Sequence, residues 1–215
     1  MSTKGRGMTD LASIEQSDDF WARVRMALGA LRPPAREGMP SEGPAAQARQ
    51  AGVQEEIGRS WAMAATRLVS MSLLVIEIDR MSEFFAVYGK DATDRCVRQV
   101  MRAIADALPR DGDLCLRMGQ ATFVVALPDL PLVPAKTSAG HIAEAIRKLG
   151  VAHRESHAGI VTVSMGLAVI NPRGEYDTGF FERAAGALKK AQRKGLGRLQ
   201  VADLRPAEER RRRAA

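Results

Sequence analysis

Between residues 17 and 31 (SDDFWARVRMALGAL) apolar side chains return every three to four positions, with Phe20, Val24, Leu28 and Leu31 on one face. That period predicts a short amphipathic helix, which Ser17 can cap and whose first turn Asp18 and Asp19 complement electrostatically. PPAREGMPSEGPAAQ follows, too rich in Pro, Gly and small polar residues for a regular element. A linker and a boundary are therefore expected between about residues 33 and 46. A second helix is predicted over about 47–69, where Val53, Ile57, Trp61, Ala64 and Leu68 form one stripe. That stripe could pack on its own domain or zip against a second copy of the chain, and the sequence leaves both open.

From residue 72 the period changes. SLLVIEI is a buried strand by length and β-branched content. A helical segment over Ser82 to Tyr88 ends at Gly89, and residues 91–108 form a longer helix with Val97, Val100, Met101, Ile104 and Leu108 inward. Two short strands, LCLRM and TFVVALP, are joined by a tight turn at Gly119 and Gln120, where Gly119 is expected to supply unusual dihedrals. A helix at about 137–149, a strand at 160–170, a helix at 178–194 and a strand at 198–202 complete the chain. A hairpin inside a βα alternation predicts an α/β fold, a mixed sheet with helices on its faces. No internal repeat is visible.

The composition fits this architecture. Of 215 residues, 46% are hydrophobic and 27% charged, so a core can be buried without staples. Aromatics are only 5%, which leaves the core to aliphatics, Met and Ala. Cys96 and Cys115 have neither metal nor redox spacing and read as small buried apolar residues. The first residues hold no apolar stretch of signal-peptide type, and the run from Leu73 to Ile78 is too short to span a bilayer. A cytoplasmic protein is expected. His153 and His157 stand four apart but in an expected loop with no third ligand nearby, so no metal or other cofactor is expected there.

The net charge of +7 would suit nucleic acid or an anionic membrane, and part of it lies in the run Arg210 to Arg213. No aromatic side chains are interleaved with those arginines, which favours a solvated terminus over a nucleic-acid partner.

IEIDRMSEFFAVYGKDATD, RDGDLCLRMGQATFVVALPD, VTVSMGLAV and KKAQRKGLGR, in that order and spacing, resemble the GGDEF family of diguanylate cyclases over roughly residues 70–203. The resemblance implies a palm-like, nucleotide-cyclase-type fold with a five-stranded sheet. It divides the chain into an N-terminal helix and linker (1–46), a degenerate GGDEF-like domain (47–203) and a basic tail (204–215). Active members join two GTP molecules into cyclic di-GMP, which demands divalent metal and therefore converging acids. Glu77 takes the position of the acid that ends the first strand.

The signature's two glycines, two acids and Phe align with Gly119, Gln120, Ala121, Thr122 and Phe123. Gly119 and Phe123 keep the turn and the core anchor, whereas Gln120 hinders close approach of a phosphate and Ala121 and Thr122 carry no carboxylate. The guanine-reading Asn aligns with Phe85 and the guanine-reading Asp with Asp94. The triphosphate Lys and Arg align with Gln192 and Leu196. The opening Asp-x-Leu-Thr-Gly-Leu motif is absent from residues 40–60. These losses imply a pseudoenzyme.

One element is kept. Arg110 and Asp113 in RDGD match the family's Arg-x-x-Asp site for cyclic di-GMP, five residues before the signature. An Arg fork can grip guanine O6 and N7, and a carboxylate can accept from guanine N–H groups. Asp111 adds a negative charge inside this motif, and Arg147 and His141 are candidates for a second basic side chain. Both Arg110 and Asp113 are expected on a solvent-facing turn. The resemblance thus implies a non-catalytic receptor for cyclic di-GMP that signals to a protein partner, with a scaffold that binds no nucleotide as the alternative.

Overall fold

The structure, a computed structural model, describes residues 44–108 and 110–206. The expected helix at 17–31, its linker up to residue 43 and the arginine run lie outside the described residues. The described elements are α1 (Pro44–Thr66), β1 (Met71–Ile78), α2 (Met81–Asp106), β2 (Leu114–Arg117), β3 (Thr122–Pro128), α3 (Leu132–Lys148), β4 (Val163–Ile170), α4 (Gly179–Arg193) and β5 (Leu199–Asp203).

The strands form one five-stranded sheet in the order β2-β3-β1-β4-β5. β1 is central and antiparallel to both β3 and β4, while β4 and β5 run parallel. Alternation along each strand sends Leu74, Ile76, Phe123, Val125, Met165 and Leu167 into one core with α2 and α3. α1 and α4 cover the other face, and rings of Trp61 and Phe180 meet between them at 5.7 Å. At Gly166 of β4 the α4 backbone comes so close that an added Cβ would lie 2.1 Å from the Ala184 carbonyl oxygen. Only glycine fits there.

Several expectations change at the element ends. α1 is already helical at Pro44, the first described residue, inside the expected linker. α3 begins at Leu132, five residues before the expected start, because proline is tolerated in a first helical turn, where Pro134 lies. The two helices expected on either side of Gly89 join there at a kink, with φ 74° at Gly89. Met101 is partly exposed and not inward. The hairpin glycine also differs: Gly119 has no positive φ, and the turn is held instead by Arg117, which donates to the carbonyls of Gly119 (3.0 Å) and Gln120 (3.1 Å).

The question left open for α1 is answered by burial within the chain. Val53, Ile57, Trp61 and Ala64 are buried, while Leu68, just beyond the helix at φ 54°, is 70% exposed and leaves the stripe. Trp61 Nε1 donates to the Gly174 carbonyl (3.1 Å), and the Tyr176 hydroxyl donates to Gln54 Oε1 (2.8 Å). Burial holds the Tyr176 phenol well above its usual value. Among the described residues no helix is long and apolar enough to cross a membrane.

Candidate functional site

β1 and the turn after it bring two carboxylates to one end of the sheet, Glu77 within the strand and Asp79 just past its last residue. Their environments differ. Asp79 is buried, and its oxygens accept from Thr162 Oγ1 (2.7 Å), Ser164 Oγ (2.6 Å) and the Gly197 amide (3.0 Å). Its carboxylate therefore ties the end of β1 to β4 and to the loop after α4. Sequence reasoning passed over Asp79. The available signal was the pair of hydroxyl residues, Thr162 and Ser164, set into an otherwise apolar strand.

Glu77 has no such set of donors. Burial pushes its carboxyl up to about 7, opposed by a hydrogen bond from the Gln192 side chain and reinforced by the neighbouring Asp79 charge. Gln192 is where the sequence resemblance leads one to expect a triphosphate-binding lysine. An amide there supplies one hydrogen bond but no charge.

The register sets the signature hairpin directly against this carboxyl. Glu77 lies opposite Thr122 on one side and Ser164 on the other, and the Ile78 amide donates to the Ala121 carbonyl (3.0 Å). Thr122 thus meets Glu77 across the strands with a hydroxyl and no carboxylate, while Ala121, beside Ile78, packs against the core. Asp79 has both oxygens engaged, and no group of three or more His, Cys, Asp or Glu among the described residues could hold a metal. The residues present do not fit the metal that cyclase chemistry needs. Phe123, behind the hairpin, is fully buried.

On α2, Asp94 forms an exposed ion pair with Lys90 (3.0 Å) one turn earlier. The hydrogen bond from Lys90 holds the Asp94 carboxyl below its usual value. Phe85 lies half-buried on α2. The Arg117 guanidinium is held below its usual value by burial and by Arg49 on α1.

Arg110 and Asp113 are brought together, at the other end of β3 from the hairpin and so roughly 20 Å along the strand. Arg110 donates to Asp113 through Nη2 (2.5 Å) and Nε (3.3 Å), and to the carbonyls of Pro128 (2.8 Å) and Asp129 (3.1 Å). The Arg110 side chain is 36% exposed, but that of Asp113 only 2%. The expectation that both face solvent is corrected for Asp113, because the arginine fork folds over it. Arg147 pairs with Glu144 (3.4 Å) on its own helix and His141 is exposed. Neither has a bond to Arg110 or Asp113 among the described contacts.

Of the histidines, His153 serves the backbone. His153 is buried edge-on against Phe84, and its Nε2 meets the carbonyl of Arg80 (3.1 Å), a residue at φ 53°. His157 lies apart, beside Gly197. Burial pushes the thiols of Cys96 and Cys115 up to about 11, so both are kept protonated.

The sequence profile described as "Diguanylate cyclase, GGDEF domain" matches residues 48–198. Diguanylate cyclase DgcM of Escherichia coli is 31% identical over 131 residues, 61% of this chain and 30% of that protein. Diguanylate cyclase DosC of the same species is 24% identical over 131 residues, 61% of this chain and 28% of that protein. The chain thus spans under a third of the length of these relatives. The GGDEF domain of DgcB from Caulobacter crescentus, solved in complex with c-di-GMP, is 25% identical with a TM-score of 0.63, over 71% of this chain and 89% of that one. The active GGEEF domain of a Vibrio cholerae diguanylate cyclase shares the fold, with 21% identity and a TM-score of 0.58 over 71% of this chain and 95% of that one. A five-stranded mixed sheet with this strand order, a profile match over most of the chain and these neighbours agree, and the chain belongs to the GGDEF family.

Proposed function

We propose that this chain is a catalytically silent GGDEF domain that recognises cyclic di-GMP through Arg110 and Asp113 and relays the bound state to a protein partner in the cytoplasm. The observation that carries the first half is the pairing of Glu77 with Thr122 across the strands, next to Ala121, with Gln192 as its donor. A triphosphate and its metal would meet one near-neutral carboxyl and an amide where converging acids and a lysine are needed.

The second half rests on the fork of Arg110. A guanine offers O6 and N7 to the guanidinium and N–H donors to a carboxylate, so it can be inserted between Arg110 and Asp113, exchanging their mutual bonds for bonds to the base. Asp113 must turn outward to accept it. The DgcB domain in complex with c-di-GMP supports this reading by likeness. A protein partner has a counterpart in SiaD of Pseudomonas aeruginosa, solved with its activator SiaC.

The scaffold reading has its own support. Four acceptor contacts already hold Arg110 within the chain, so an empty site has no need of a ligand to stay ordered. Calorimetric titration of the purified protein with cyclic di-GMP decides between the two. Saturable heat supports the receptor, and its absence at high ligand concentration leaves the scaffold. Incubation with GTP and Mg²⁺ or Mn²⁺ tests the catalytic silence, and product that disappears in Glu77→Ala would refute it.

A further inference from the structure

The positive charge of this protein is gathered at one end of the chain. Residues 183–215 hold eleven Lys and Arg against three Asp and Glu, a net +8, so residues 1–182 sum to −1. Within the described residues this charge follows the outer face of α4. Its inner face, with Phe180, Phe181, Ala184, Leu188 and Ala191, is buried on the sheet. On the outside, Arg183, Lys190, Arg193 and Lys194 fall within about 100° of arc and span roughly 16 Å along the axis. Arg183, Lys190 and Arg193 have no carboxylate partner among the described residues, and Lys194 reaches only the Gln200 amide (3.0 Å).

The helix dipole accounts for the cations of the last turn, but not for Arg183 near the positive N-terminal end. A second feature lies on the same face. Gly186 sits in the middle of α4, where glycine weakens a helix, and neither internal need for it exists. Its φ is not positive, and an added Cβ would meet nothing within 4 Å. Gly166, facing the same helix from the sheet, is the contrast, since packing demands it. A gap in a row of unpaired cations lets another backbone come close to α4 while its carboxylates reach the flanking charges.

We propose that the outer face of α4, from Arg183 past Gly186 to Lys194, is a docking surface for an acidic helical segment of a partner protein. Bilayer insertion does not suit the face, because the apolar side of α4 is already used by the sheet. Single-stranded nucleic acid does not suit it either, since α4 presents no outward aromatic side chain for stacking. Close packing at a bare glycine is a property of a protein surface. α4 borders β5, at the opposite edge of the sheet from the β2 end that carries Arg110, so this inference stands apart from the ligand reading.

The test titrates the full chain with a labelled, stapled helical peptide bearing glutamates at alternating three- and four-residue spacing, read by fluorescence anisotropy. Saturable binding is expected, weakening with salt. Lys190→Glu combined with Arg193→Glu should weaken it about tenfold or more, in line with reversal of two exposed ion pairs. The decisive variant is Gly186→Leu, which should also weaken binding about tenfold while the thermal midpoint holds or rises, because leucine favours a helix. Failure of the peptide to bind overturns the proposal, as does a Gly186→Leu chain that binds it equally well. Tighter binding of duplex DNA, or of phosphatidylcholine vesicles doped with phosphatidylglycerol, also overturns it and assigns the face to that partner.

Discussion

Arg110 closes on Asp113 through two of its nitrogens, at 2.5 and 3.3 Å, and with the same guanidinium reaches two carbonyls at the end of β3. The pair proposed to read a ligand is therefore also a latch between the segment before β2 and the end of β3. Arg110→Ala leaves a carboxylate that is only 2% exposed without its partner. A loss of about 1–3 kcal/mol is expected, discounted because the arginine itself is partly solvated. The same change should weaken cyclic di-GMP binding by tenfold or more. Arg110→Lys keeps the charge without the fork and should recover little of either effect. Denaturation and calorimetry on both variants check this, and unchanged affinity in Arg110→Ala would move the ligand elsewhere.

Glu77 should make stability fall as pH rises. Its carboxyl stands at about 7 in the fold against 4.5 in the reference state, so between these values the folded chain holds the proton more tightly than the unfolded one. The penalty is absent below about pH 4.5, grows towards pH 7 and is constant above, at no more than about 3 kcal/mol. Glu77→Gln removes it. The variant should melt higher than the parent near pH 8 and close to it near pH 5, as scanning calorimetry would show. Equal midpoints across this range would mean that Glu77 is effectively solvated.

Gly166→Ala places a methyl group into the α4 backbone, with contacts of 2.1 and 2.3 Å to Ala184 and Leu188. Helix and strand must separate, and a loss of about 3 kcal/mol or more is expected. Urea denaturation measures it. A variant as stable as the parent would show that α4 docks less closely than described.

Trp61 anchors α1 by area and by one hydrogen bond, which two substitutions separate. Trp61→Phe keeps a ring beside Phe180 and Tyr176 but loses the bond to the Gly174 carbonyl, costing about 1 kcal/mol. Trp61→Ala also leaves a cavity and should cost about 3–5 kcal/mol. Nearly equal losses in the two variants would place the value of Trp61 in its hydrogen bond alone.

Periodicity by itself determined the element order, the mixed sheet and the faces of α1 and α2 apart from Leu68 and Met101, because burial on one side of a helix or strand must be written as a repeat. It also placed both halves of α2 around Gly89, since glycine marks a change of direction. The aligned segments located Glu77, the altered hairpin and the Arg110–Asp113 pair. What each of these residues does was decided by neighbours distant in the chain. Asp79 became the held carboxylate because Thr162, Ser164 and Gly197 converge on it from other elements, and Glu77 became the raised one because its burial outweighs the hydrogen bond from Gln192. Asp113 is buried, although its turn reads as exposed, because Arg110 folds over it towards β3. Two glycines on either side of α4's backbone, Gly166 on the sheet beneath it and Gly186 on its outer face, show the same division. Both are a single letter in the sequence, and only the tertiary structure shows that Gly166 has backbone against it while Gly186 faces open space.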